Sequence, residues 1–158
     1  MDFQQGLITT IHDYGLGNND PILFRQELSR RPTALLIPCL MEEFNRPALK
    51  LIREALSDLR GLQSLVIALA ADSSEDVAAA EKFFADMPFP VHVHWTNGPA
   101  VRELLLSVKE LGLDVMGPPG KGWAVWQGLG VACREAEVVG LFDADIRTFG
   151  PSYPERML

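Results

Sequence analysis

The sequence predicts an α/β domain built on a mainly parallel sheet, and three observations carry that reading. Short continuous apolar runs recur at Thr33–Leu40 (TALLIPCL), Ser64–Ala70 (SLVIALA), Phe89–Trp95 (FPVHVHW) and Val138–Asp145 (VVGLFDAD), as expected of strands buried on both faces. Between these runs lie segments whose apolar residues repeat at helical spacing. Strand and helix signals alternate along the chain, and right-handed crossovers make such an arrangement Rossmann-like.

The elements follow in order. Residues 1–32 are rich in Gly, Asn, Asp and Pro and read as irregular, with one short helix near Ile22–Leu28. After the first strand, Asn45 is the expected cap and Pro47 lies in the first turn of a helix. That helix buries Leu49, Ile52, Leu56 and Leu59 and ends at Gly61. The second strand leads into DSSEDV, where Ser73 or Ser74 caps a helix burying Val77, Ala80 and Phe84. The helix after the third strand carries Val101, Leu104, Leu105, Val108 and Leu111 on one stripe. A loop, MGPPGKG, precedes a fourth helix over WAVWQGLGVACREA, and the fourth strand closes the pattern. The organisation is therefore an α/β domain over 33–150, with a tail over 151–158.

Composition bounds the function. The chain has 158 residues, 47% apolar and 22% charged, within the range of one globular domain. Its apolar runs are too short to span a bilayer, and MDFQQGLITT has neither the basic nor the apolar region of a signal peptide. Fourteen basic against 21 acidic residues give a formal charge of −7. That balance argues against nucleic acid and anionic membrane as partners, since both require a basic face. A phosphate-bearing ligand would need a few placed cations, a helix N-terminus or a metal. Cys39 and Cys133 sit in apolar segments and read as buried thiols of a cytoplasmic protein.

In open α/β sheets ligands bind outside the carboxyl ends of the strands. The first strand ends in Pro38-Cys39-Leu40-Met41-Glu42-Glu43, the second in Ala71-Asp72, the fourth in Asp143-Ala144-Asp145. Five carboxylates are thus expected at one rim. Lys121, between Gly120 and Gly122, stands at a helix N-terminus, where free N–H groups favour anions. Asp72 reads equally as a helix cap, and Glu43 as a solvated first-turn acid. Asp143 and Asp145, two apart in a strand, would point to one side, and such a pair calls for a compensating cation. Oxygen ligands of this kind suit Mg²⁺ or Mn²⁺.

Of two further motifs, one is excluded by spacing and the other fits poorly and is a third reading. GPPGKG lacks the four-residue spacer and the hydroxyl of a P-loop. DADIRT departs from the D-x-D-x-[TV] nucleophile motif of haloacid dehalogenase-like phosphatases, with Arg147 in place of Thr or Val and the motif on the last strand. His12, His92 and His94 show no metal-ligand pattern and read as structural. Trp95, Trp123 and Trp126 read as packing residues, Trp123 also as a candidate ligand wall beside Lys121.

LLIPCLMEE, ALAADSSED, GKGWAVWQGL and VVGLFDAD, in that order, resemble the donor half of GT-A glycosyltransferases, closest to the glucosyl-3-phosphoglycerate synthase and mannosylglycerate synthase-like group. The resemblance covers Ala34 to Phe149 and departs at Met41, where the family has Asn, and in the looser serine-rich element. It implies a nucleotide-diphospho-sugar-binding domain using Mg²⁺ or Mn²⁺. Pro38, Leu40, Glu42 and Asp72 would lie at the nucleobase and ribose, and Lys121 at the diphosphate. Asp143 and Ala144 would lie beside the ribose, and Asp143 and Asp145 would hold the metal. The donor would be a UDP-sugar or GDP-sugar and the acceptor a small acid such as (phospho)glycerate. The family places its acceptor site and a histidine metal ligand downstream of Asp-x-Asp, and 13 residues follow Asp145 here. The expectation is a donor-binding part impaired on its own, with an uncovered edge or apolar face that favours self-association. The alternative is a non-catalytic nucleotide-binding or regulatory α/β module.

Overall fold

Seven of the eight residues of strand β1 (Thr33–Leu40) are buried, and the rest of the fold is arranged around it. The computed structural model describes residues 30–115, 117–151, 153 and 154, together with Gln26 and Leu28. Most of the segment expected to be irregular lies outside these residues, as does most of its short helix; Gln26, Leu28 and Arg30 are helical.

β1 pairs in parallel with β2 (Ser64–Ala70) on one side and with β4 (Val138–Leu141) on the other, and β3 (Val91–Trp95) pairs with β2. The order is β3-β2-β1-β4, a fully parallel four-stranded sheet with helices on both faces. Alternation along the strands divides the core in two. Leu35, Ile37, Leu65, Ile67 and Leu69 pack with helices α1 (Pro47–Ser57) and α2 (Ser74–Phe83) through Leu49, Ile52, Leu56 and Ala80. Ala34, Leu36, Val66 and Ala68 face α4 (Lys121–Ala132) through Ala124 and Ala132. Small residues on that second face admit the helix closely. A Cβ at Gly128 would lie 2.4 Å from Leu36 Cδ1 and 3.2 Å from Ala68 Cβ.

Several local expectations are corrected. Met41–Asn45 forms a 3₁₀ turn, so Asn45 does not cap α1; Arg46 does, without a side-chain bond. The cause is Pro47, which forces the residue before it out of the helical region, and Arg46 has φ −94° and ψ 147°. α1 ends at Ser57, ahead of Gly61. α2 is capped as expected: Ser73 Oγ accepts from the Asp76 N–H at 3.2 Å, and the Asp76 carboxylate accepts from the Ser73 N–H at 3.1 Å. β3 begins at Val91, after Pro90, which has no N–H to donate to a ladder.

Helix α3 (Pro99–Glu110) has the expected periodicity but buries only Leu105 among its residues. Leu104 is 62% exposed and Leu111, just beyond the helix, 81%. Periodicity identifies a helix without identifying a neighbour for its stripe. β4 stops at Leu141, four residues earlier than the apolar run suggests, and Ala144-Asp145 forms a turn. Cys133 is exposed beyond the last turn of α4 rather than buried, while Cys39 is buried; both thiols are free. Among the described residues no helix is long and apolar enough to cross a membrane.

Gly128→Val is expected to destabilise the protein by about 1–3 kcal/mol through overpacking against Leu36 and Ala68. Ser73→Ala is expected to cost about 1 kcal/mol through loss of the cap. Urea unfolding checks both, as a lowered midpoint at unchanged slope.

Candidate functional site

The strand order reverses between β1 and β4. Connections from β1 lead outward through β2 to β3, and the chain then returns to the far side of β1. A crevice opens beyond the carboxyl ends at such a reversal. There the structure has a cavity of about 710 Å³. Pro38, Cys39 and Leu40 line it from the end of β1, Ala70 from β2, Thr96 and Asn97 from beyond β3, and Asp143, Ala144 and Asp145 from beyond β4. Gly120, Lys121, Trp123 and Ala124 contribute the first turn of α4.

Each functional side chain is held by its local structure. The Phe142 N–H donates to Leu36 O at 3.0 Å, extending the ladder one step beyond β4. Phe142 and Ala144 are buried, and Phe142 meets Phe149 edge-on with ring centroids 5.2 Å apart. Anchoring these alternate residues turns Asp143 and Asp145 together into the cavity, by a strand extension and a turn rather than by a regular strand. Gly120 has φ 151° and ψ 177°, a conformation reserved for glycine. It opens α4 without a side-chain cap, and the first helical bond is from the Ala124 N–H to Gly120 O. The N–H groups of the turn at Lys121 to Trp123 are therefore not capped by a side chain at Gly120.

Lys121 Nζ forms an ion pair with Asp143 Oδ1. Both side chains are about half exposed, so the pair contributes little to stability. Its consequence is local: one of the two aspartates already has a cationic partner from the protein.

The far wall is fixed by amides. Asn97 Nδ2 donates to Ala71 O at 3.0 Å and Asn97 Oδ1 accepts from the Ala71 N–H at 3.1 Å, so a side chain imitates a strand pairing. Buried Gln127 donates through Nε2 to Thr96 O at 3.1 Å. That leaves Oε1 to accept from His94 Nε2 at 2.8 Å, placing the imidazole proton on Nε2. His94 thus has a structural hydrogen bond, and His92 lies 4.0 Å from Glu135; His12 is outside the described residues.

Of the residues singled out in the sequence, Pro38, Leu40, Lys121, Asp143, Ala144 and Asp145 meet at the cavity, while Glu42 and Asp72 are not among its lining residues. The Glu42 side chain is 78% exposed. Glu43 replaces it at the wall and is buried, correcting the reading of a solvated acid. The 3₁₀ turn that begins at Met41 rotates the two glutamates relative to a simple strand extension. Glu43 Oε1 accepts from Arg46 at 2.8 Å. Asp72 is exposed, and its backbone N–H, rather than its carboxylate, joins the capping box through Asp76. Thr96, Asn97, Arg102 and Leu105 were missed. The rule that gathers strand ends at one rim applies equally to TNGPAVREL after the third strand, and that signal was present.

Among the described residues no three potential ligands cluster to hold a metal. Asp143 and Asp145 are a two-carboxylate set, the number with which Mg²⁺-type ions combine phosphate oxygens and water.

A parallel sheet in this order, with polar residues at the reversal point, is a Rossmann-like arrangement, and it matches the GT-A type of fold. The structure aligns with glucosyl-3-phosphoglycerate synthase of Mycobacterium tuberculosis, solved with Mn²⁺, UDP and glucosyl-3-phosphoglycerate, at a TM-score of 0.54 and 20% identity, over 90% of this chain and 42% of that one. The sequence is 35% identical over its whole length to glucosyl-3-phosphoglycerate synthase of Methanococcoides burtonii, covering 39% of that protein. It is 32% identical to the enzyme of the same name from Persephonella marina, covering 40% of it. The chain is a homologue of the glucosyl-3-phosphoglycerate synthases, the family its motifs resemble, and spans about two-fifths of the length of these curated relatives. No family model matches it.

Cys39 lines the cavity with a thiol that burial, and then the nearby Glu43 carboxylate, push up to about 12. The neutral thiol is therefore strongly favoured at ordinary pH. Titration of the folded protein with a thiol reagent at pH 8 should modify exposed Cys133 readily and Cys39 only after unfolding.

Proposed function

We propose that the cavity is the donor site of a metal-dependent hexosyltransferase that takes a UDP-sugar, or a GDP-sugar, and passes its hexose to a small acidic acceptor such as (phospho)glycerate. One observation carries the reading: Lys121, Asp143 and Asp145 converge at the N-terminus of α4, in a cavity at the reversal of strand order. The homologues' shared name and the Mn²⁺, UDP and product named for the Mycobacterium tuberculosis protein support it.

Asp143 and Asp145 would hold Mg²⁺ or Mn²⁺. When bound, such an ion supplies Lewis-acid stabilisation to a departing nucleoside diphosphate. The chain's own residues do the rest. Lys121 exchanges part of its pairing with Asp143 for a phosphate oxygen, and the first N–H groups of α4 face the same charge with the positive end of the helix dipole. Trp123 walls the anion side against water. Pro38, Leu40 and Ala144 offer apolar surface to the nucleoside. Asp72 and Glu42, exposed outside the cavity, reach a ligand only where it extends past the rim.

Calorimetric titration of UDP and GDP into the protein, with Mn²⁺ and with EDTA, is the direct test. Binding that requires Mn²⁺ and is lost in Asp145→Ala is the expected result and names the base. Absence of binding by either nucleotide would remove the donor-site reading and leave an α/β module with inherited motifs.

Exposed Leu104 and Leu111, seven apart on and just beyond α3, and separately the short edge strand β4, are features suited to self-association. Light scattering should give a mass above the 17.5 kDa of one chain; a monomer mass at working concentration would contradict this.

A further inference from the structure

We propose that Arg102, in the first turn of α3, is a second anion-holding residue of the cavity, taking a phosphate or carboxylate group of the ligand. The inference deepens the donor-site reading and rests on it.

The cavity is lined by two cations, Arg102 and Lys121, and by three carboxylates, Glu43, Asp143 and Asp145. Most of these charges have protein partners. Glu43 is held by Arg46 at 2.8 Å, and Lys121 by Asp143. Among the described residues none forms a hydrogen bond or ion pair with the Arg102 guanidinium, whereas its backbone N–H is fixed on Gly98 O at 3.1 Å.

The orientation of α3 gives the second argument. α3 contributes two residues to the cavity, Arg102 and Leu105. They are three apart and so share one face of the helix. Leu105 is also the buried residue of α3. The face that seats the helix is therefore the face that carries Arg102 to the ligand. A guanidinium presents a planar fork of donors matched to two oxygens of a phosphate or carboxylate, and it stays charged at every working pH. With Lys121 shared with Asp143, Arg102, an exposed side chain, is the cavity cation whose donors have no protein partner among the described residues and face only water.

The test titrates the full chain with Mn²⁺ present. The probes are inorganic pyrophosphate, UDP, and 3-phosphoglycerate in the presence of UDP, and the proteins are the parent, Arg102→Gln and Arg102→Lys. Loss of about tenfold in affinity for pyrophosphate and UDP in Arg102→Gln, partly restored in Arg102→Lys, is the expected result and assigns the donor diphosphate. The same loss confined to 3-phosphoglycerate also supports the proposal and assigns the acceptor's anionic group. An unchanged thermal melt of Arg102→Gln shows that the loss is not one of folding. Equal binding of all three probes by the parent and Arg102→Gln overturns the proposal and leaves the donor site standing. Arg102-dependent pyrophosphate binding without UDP binding upholds it while removing the nucleotide reading. No binding of any anion by the parent overturns both.

Discussion

The arrangement depends on the burial of β1, which has helices over both faces and a strand on each edge. β1 pairs in parallel on both sides, as strands joined by helical crossovers do. All four carboxyl ends then point to one rim. The chain moves outward from β1 to β3 and must return past β1 to place β4, so connections leave the rim in opposite directions. The space between them cannot be filled by either connection. The cavity is a product of topology before any polar residue is considered.

Topology opens the space, and α4 sets its character. Its first turn carries Lys121, and its middle carries Gln127 and Gly128, which fix it to the sheet in different ways. Gly128 allows backbone approach over Leu36 and Ala68, and Gln127 ties the helix to His94 and to the Thr96 carbonyl. The depth of the helix and its rotation are thus constrained within two adjacent residues. The amide pairing of Asn97 with Ala71 extends the β2–β3 union beyond its last ladder bond. The far wall of the cavity is held mainly by backbone groups and the amides of Asn97 and Gln127.

Element identity and order were legible because buried parallel strands leave continuous apolar runs and amphipathic helices leave a stripe. Ser64–Ala70 matches its strand residue for residue, and the Ser73 cap was written in its own side chain and that of Asp76. Errors came where a neighbour decides. Pro47 displaced the cap of α1 onto Arg46, and the 3₁₀ turn exchanged the roles of Glu42 and Glu43. Leu104 and Leu111 belong to a valid helical stripe, yet a stripe does not reveal what lies against it. The meeting of Lys121 with Asp143 was half legible. Both were placed at the rim, but their ion pair depends on how α4 rests on the sheet, and that in turn depends on Gly128, an unremarked glycine in the sequence.

The net charge of −7 is compatible with an anion site because charge acts locally. At an ionic strength near 0.15 M, interactions between exposed charges decay over about 8 Å, so acids remote from the rim contribute little there. A diphosphate in the proposed donor site would meet the local set: Lys121 shared with Asp143, Asp145, Glu43 held by Arg46, the uncapped first turn of α4, and Arg102. Without an added cation the two aspartates offset the lysine and the helix end. Asp143 and Asp145 would hold a divalent ion, whose charge would offset theirs and leave Lys121, Arg102 and the helix end to favour the anion. In the proposed donor site metal and nucleotide binding would therefore be mutually dependent, each reducing the electrostatic cost of the other.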